Sequence, residues 1–137
     1  VSVYADPALA REAGADVLQL PKGGPDVVRA RSGLSRWARV GRSCYTAADV
    51  DAALAEDGID FLTVGPVHNR LPWTPGLPGL DLVRHAARVA PPADPAAKPW
   101  FAIGGITLEN LGEVLDAGAR RVAVGRAITD ADESLAR

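Results

Sequence analysis

Three stretches of this chain finish in the same way. "AREAGADVLQL", "LAEDGIDFLTVG" and "VLDAGARRVAVG" each carry the end of an amphipathic helix, then a glycine (Gly14, Gly58, Gly118), then after two residues an apolar or β-branched run. A glycine there closes a helix in the left-handed conformation, and the run behind it reads as a buried strand. Adding Ala38–Arg42 and Trp100–Ile103 gives five such runs, near residues 17, 38, 61, 100 and 121. Three of the four intervals suit one short helix with two loops, the spacing that parallel strands require. The pattern predicts one α/β domain over residues 1–137, its parallel strands covered by helices. The opening residues, "VSVYADPALA", begin inside a further strand and, with no initiator methionine, read as the start of a fragment.

The helices between the runs are readable at their starts. In "TAADVDAALAEDG", Thr46 and Asp49 have capping-box spacing, with Val50, Ala53 and Leu54 on one face. "LDLVRHAARVA" places Leu82, Val83, Ala86 and Val89 together. Thr107 is the expected N-cap of a helix carrying Leu108, Leu111, Val114 and Leu115. Just before it, Gly104 and Gly105 end the strand "WFAI". Two readings of that pair stay open: a turn that needs positive φ, or a close backbone approach to an anion at the start of the following helix.

In parallel α/β folds ligands sit at the carboxyl ends of the strands. The charged residues there are Lys22, Arg42, Arg70 and Arg126, all cationic, in a chain of net charge -2. With Gly104, Gly105 and Gly125 they suit a phosphate or pyrophosphate. No Asp or Glu is expected within these turns, Asp26 being the nearest, so no carboxylate set for a hard cation is evident. Of the two histidines, His68 follows a strand end and has the chemistry to donate a proton or bind an anion, whereas His85 reads as a surface or packing residue. Trp73 is either a lid or a loop anchor. Cys44 has no base beside it, so a thiol nucleophile is not expected.

The bulk numbers exclude other classes. With 47% hydrophobic and 23% charged residues the chain is neither disordered nor membrane-embedded, and it lacks the basic excess of a nucleic-acid binder. A lone cysteine fits a reducing compartment, so a cytoplasmic location is expected.

The strand-end stretches "VGRS", "DFLTVGPV", "PGLPGLDLV" and "KPWFAIGGITLENLGEVLDAGARRVAV" resemble the thiamine phosphate synthase and thiazole tautomerase (TenI-like) family over nearly the whole chain. The resemblance implies a (β/α)8 TIM-barrel type fold, here the C-terminal five-strand part, lacking roughly the first two to three βα units. It implies Mg²⁺-dependent joining of a pyrimidine diphosphate to a thiazole phosphate, with release of pyrophosphate. By that resemblance Gly104, Gly105, Gly125 and Arg126 hold the thiazole phosphate, and Ser43 contacts the departing pyrophosphate, with Arg42 and His68 as further catalytic candidates. Lys22 and Arg70 are candidates for the pyrophosphate. The metal-binding carboxylates have no counterpart: the family's third strand ends in Asn-Asp where this chain has Ser2 and Val3, and its fourth in a His-Leu-Gly-Gln stretch where this chain reads Gln19 to Gly24. The expected partner is a small phosphorylated metabolite, with no nucleic acid and no membrane. Five strands cannot close a barrel, so either upstream residues or a second copy must cover the open edges. Two rivals to the synthase remain: a phosphometabolite-binding or regulatory homologue without catalysis, and a tautomerase using His68 or Tyr45 as its acid.

Overall fold

The computed structural model describes residues 1–68 and 79–130. They form β1 (Ser2–Tyr4), α1 (Pro7–Glu12), β2 (Val17–Leu20), α2 (Val27–Arg31), β3 (Arg39–Cys44), α3 (Ala47–Ala55), β4 (Phe61–Val64), α4 (Gly79–Val89), β5 (Trp100–Ile103), α5 (Leu111–Asp116), β6 (Val122–Ala123) and α6 (Arg126–Thr129). The six strands lie in one sheet in chain order, each parallel to its neighbours. Five apolar runs therefore undercount: the short opening segment is a full member of the sheet, Ser2 pairing with Val17. The sheet curls as part of a barrel, with the helices outside.

The repeat that organises the sequence has a clear local cause. At Gly14 (φ 59°) the amide of Gly14 bonds the Arg11 carbonyl and that of Ala15 bonds the Ala10 carbonyl, a Schellman closure. Gly118 (φ 107°) closes α5 in the same way, through Gly118 to Leu115 and Ala119 to Val114. Each closure turns the chain from helix into strand.

Only one sheet face is dry. Leu18, Leu20, Val40, Leu62, Val64, Trp100 and Ala102 are buried against Ala30, Val50, Ala53, Val83, Ala86 and Val114 of the helices. The alternate residues, among them Tyr4, Gln19, Thr63 and Ile103, face the concave side. Trp100 anchors the outer layer, its indole N–H donating to the Ala90 carbonyl at 2.9 Å.

Several boundaries differ from expectation. β3 runs to Cys44, so Ser43 and Cys44 lie inside the strand. β1 includes Ser2 and Val3, which puts its tip at Tyr4, Ala5 and Asp6. Asn110, not Thr107, precedes α5; its Oδ1 accepts from the Thr107 amide at 2.8 Å, and Leu108 is left 88% exposed. A side chain that satisfies the loop holds it non-helical for three residues longer. Val89 also faces solvent.

Candidate functional site

The strand tips bring the predicted glycines and one of the predicted cations together. A cavity of about 380 Å³ is lined by Pro66 and His68 after β4, by Gly104 and Gly105 after β5, and by Gly125 and Arg126 after β6. The segment after β4 is fixed to that after β5 by two backbone bonds, Val67 N–H to Ile103 O and His68 N–H to Gly104 O, both 2.9 Å. The Gly-Gly pair is required for this closeness. Gly104 has φ 101° and Gly105 φ 68°, and a Cβ would stand 2.6 Å from Pro66 Cβ at the first and 2.2 Å from His68 O at the second. Asn110 Nδ2 donates to the Gly105 carbonyl at 2.9 Å and steadies the turn from the other side. α5 starts only at Leu111 and spans 6 residues, so the expected helix start directly behind the glycines is not there. Arg126 is exposed and makes no side-chain hydrogen bond or ion pair among the described residues.

A second cavity, about 530 Å³, occupies the concave face and meets the first across Pro66, Ile103 and Gly104. Its polar centre is a side-chain network that strand-end reading missed. Gln19 Nε2 donates to Ser43 Oγ at 2.9 Å and to Thr63 Oγ1 at 3.0 Å, with the two hydroxyls 3.4 Å apart. Gly41 makes this possible: a Cβ there would lie 2.3 Å from Gln19 Oε1. The signal available in sequence was the two-residue alternation that puts Gln19, Ser43 and Thr63 on one face. Tyr4 and Tyr45 rim this cavity, and burial, then the neighbouring Tyr45, pushes the Tyr4 phenol above its ordinary range.

Arg42 and Lys22 are already partnered. Arg42, 8% exposed, points to the helix side, where Nε and Nη2 grip Glu56 at 3.1 and 2.6 Å and Nη1 donates to the Pro21 carbonyl at 3.3 Å. Lys22 Nζ lies 3.0 Å from Asp49 Oδ1. Burial pushes the Asp49 carboxyl up, but bonds from Lys22 and from the Tyr45 and Thr46 amides outweigh it and hold the group below the usual carboxylate range. These residues surround a third cavity of about 210 Å³ with Gly23 and Gly24. The expected all-cationic rim is thus corrected: Asp49 and Glu56 reach it from α3 and its C-terminal end, and Asp6 stands at the β1 tip. Arg70 and Trp73 lie outside the described residues.

Asp6 caps α1 through the Ala8 and Leu9 amides, both at 2.9 Å, Asp49 is engaged by Lys22 and Thr46, and Glu56 by Arg42. Among the described residues no group of three His, Cys, Asp or Glu is arranged to hold a metal ion, and the described carboxylates at the strand tips are taken up by these caps and ion pairs. Burial pushes the Cys44 thiol up to about 12, which removes it as a nucleophile near neutrality. Among the described residues no helix is long and apolar enough to cross a membrane.

Comparison with known proteins gives one consistent result. The family model described as thiamine monophosphate synthase matches residues 2–128. The thiamine-phosphate synthase of Mycolicibacterium smegmatis is 49% identical over 135 residues, covering 97% of this chain and 56% of its own. That of Streptomyces avermitilis is 46% identical over 127 residues, covering 91% of this chain and 56% of its own. A solved thiamine phosphate pyrophosphorylase from Pyrococcus furiosus superposes with a TM-score of 0.75 at 27% identity, covering 96% of this chain and 59% of the other. The chain therefore spans a little over half the length of these relatives.

Proposed function

This chain belongs to the thiamine monophosphate synthase family, and on that premise we propose that the tips of β4, β5 and β6 take the phosphate of a thiazole phosphate, which is joined to a pyrimidine diphosphate with loss of pyrophosphate. The observation that carries this reading is the meeting of Gly104, Gly105, Gly125 and Arg126 in one cavity, with the Arg126 guanidinium uncommitted among the described residues. An unpaired guanidinium forks onto two phosphate oxygens, and glycines without Cβ atoms let the ester approach the main chain. The ring then extends past Gly104 toward the concave cavity. There Ser43 Oγ accepts from Gln19, which leaves its own hydrogen to donate to the departing pyrophosphate.

Arg42 and Lys22 serve this end as positioning groups. Arg42 ties the β2 tip to α3 through Pro21 and Glu56, and Lys22 must release Asp49 before it can meet an anion. Arg70 stands as a further candidate for the pyrophosphate. In the family's chemistry Mg²⁺ would supply charge neutralisation to the leaving group. Losing one preorganised contact to such developing charge typically costs about 10²–10³ in rate.

A second reading is favoured by the committed Lys22–Asp49 and Arg42–Glu56 pairs: a phosphometabolite-binding homologue without synthase turnover. Incubation with both family substrates and Mg²⁺, followed for thiamine phosphate and pyrophosphate, separates the two when combined with calorimetric binding of thiazole phosphate. Product supports the synthase. Binding without product supports the second reading, and the absence of both removes the two together. Arg126→Ala is expected to weaken thiazole phosphate binding by about 10- to 100-fold, as one charge-assisted bidentate contact does.

A further inference from the structure

Among the described residues one buried side-chain nitrogen or oxygen lacks a partner: His68 Nε2. Among the described residues, the other buried side-chain nitrogens and oxygens have partners. Gln19 serves Ser43 and Thr63, and Asn110 bonds both Thr107 and Gly105. The second histidine is also satisfied, His85 Nε2 facing Asp51 at 2.7 Å and Nδ1 accepting from Arg88 at 3.0 Å. A buried polar atom without a bond carries a desolvation penalty, so an orphan on a cavity-lining residue is a place where a ligand atom can complete the structure.

The placement of His68 is specific. Its amide is bound to the Gly104 carbonyl, and its Cβ lies 3.0 Å from where a Cβ on Gly105 would be, so the side chain is rooted over the glycine pair. It lines the same cavity as Arg126 and Gly125. Resting on the phosphate reading of that cavity, we propose that His68 is a ligand-binding residue whose Nε2–H donates a hydrogen bond to an oxygen of the bound phosphate, opposite the Arg126 guanidinium. Both the Nε2–H neutral tautomer and the imidazolium present that donor. The site is then a two-sided clamp, with Arg126 contributed after β6 and His68 after β4, and the glycines forming its floor.

The test uses inorganic phosphate as probe. Calorimetric titration of the chain and of His68→Phe, His68→Gln and Arg126→Ala is expected to show a roughly tenfold or greater loss for His68→Phe, since hydrogen bonds to charged groups carry about that much. His68→Gln, which keeps an N–H donor, is expected to recover most of the loss. Equal affinity in His68→Phe and the parent chain, with Arg126→Ala weakened, overturns the role of His68 and leaves the cavity reading intact. Equal affinity in all four proteins, or no binding by the parent, overturns both.

A measurement on the unsubstituted chain guards against misfolded variants. The chain has 2 histidines, so imidazole ¹⁵N resonances give one signal for the site and one control. Phosphate is expected to shift the His68 Nε2 signal and leave that of His85 unmoved. A Gly105 amide that shifts while His68 stays still rejects the proposal.

Discussion

A methyl group on residue 105 would stand 2.2 Å from the His68 carbonyl oxygen, a backbone atom that cannot swing away. The residue also sits at φ 68°, where a Cβ costs about 1–2 kcal/mol by itself. Gly14 shares the second property without the first, at φ 59° with nothing within 4 Å of its absent Cβ. The two glycines therefore separate backbone conformation from close approach. Gly14→Ala is expected to lower stability by about 1 kcal/mol in urea unfolding, and Gly105→Ala by about 3 kcal/mol, the excess being steric overlap. Similar losses for the two would mean that positive φ alone explains the glycine pair. Sequence leaves both readings of Gly104 and Gly105 open because the atoms that crowd them belong to Pro66 and His68, in the segment that follows β4.

At the scale of the element, α3 is the piece that fixes the β2 and β3 tips. Asp49 accepts the Thr46 amide at 2.9 Å, Thr46 Oγ1 accepts the Asp49 amide at 3.2 Å, and Lys22 is held at 3.0 Å. Because the folded carboxyl is held below its unfolded range, its contribution is present above about pH 4 and is lost as pH falls through the lower folded value. Asp49→Asn is expected to cost about 1 kcal/mol at pH 7. The gap to the parent should narrow as pH falls below about 4 and through the lower folded value, and a gap unchanged by that fall would show that the charge contributes nothing. This capping box was legible because all its parts lie within four residues. The helix-closing glycines and the strand Trp100–Ile103 were legible for the same reason. The start of α5 was not, since Thr107 and Asn110 are both good caps and the choice falls to the bond between Asn110 and Gly105 across the loop. Nor were the partners of Arg42 and Lys22, which arrive from α3 and its C-terminal end only once the sheet has formed.

For the whole molecule the decisive fact is that the cavity proposed for the phosphate takes one segment from each of three neighbouring strands, at the weaker edge of the sheet. β3 and β4 are paired on both sides, whereas β6 has 2 residues and among the described residues pairs with β5 alone, through Val122 and Ala123. Amides of β3 and β4 should accordingly exchange slowest and those of β6 and α6 fastest, because local opening follows the loss of few contacts. A ligand bound between Gly105 and Arg126 is lost whenever β6 detaches, so it must stabilise that edge by mass action. At 100 times its Kd the gain is about 2.7 kcal/mol, which slows exchange about a hundredfold in segments that open with the site. Hydrogen exchange with a saturating phosphate ester should therefore show protection at residues 103–106 and 123–127 together, with residues 22–24 and 42–56 unchanged. The converse pattern, protection around Lys22 and Arg42 with β6 unaffected, would move the anion to the cavity between β2, β3 and α3. That outcome would require the ester to displace Asp49 from Lys22 or Glu56 from Arg42, and the protein would then bind its ligand by breaking ion pairs, with Arg126 left without a role.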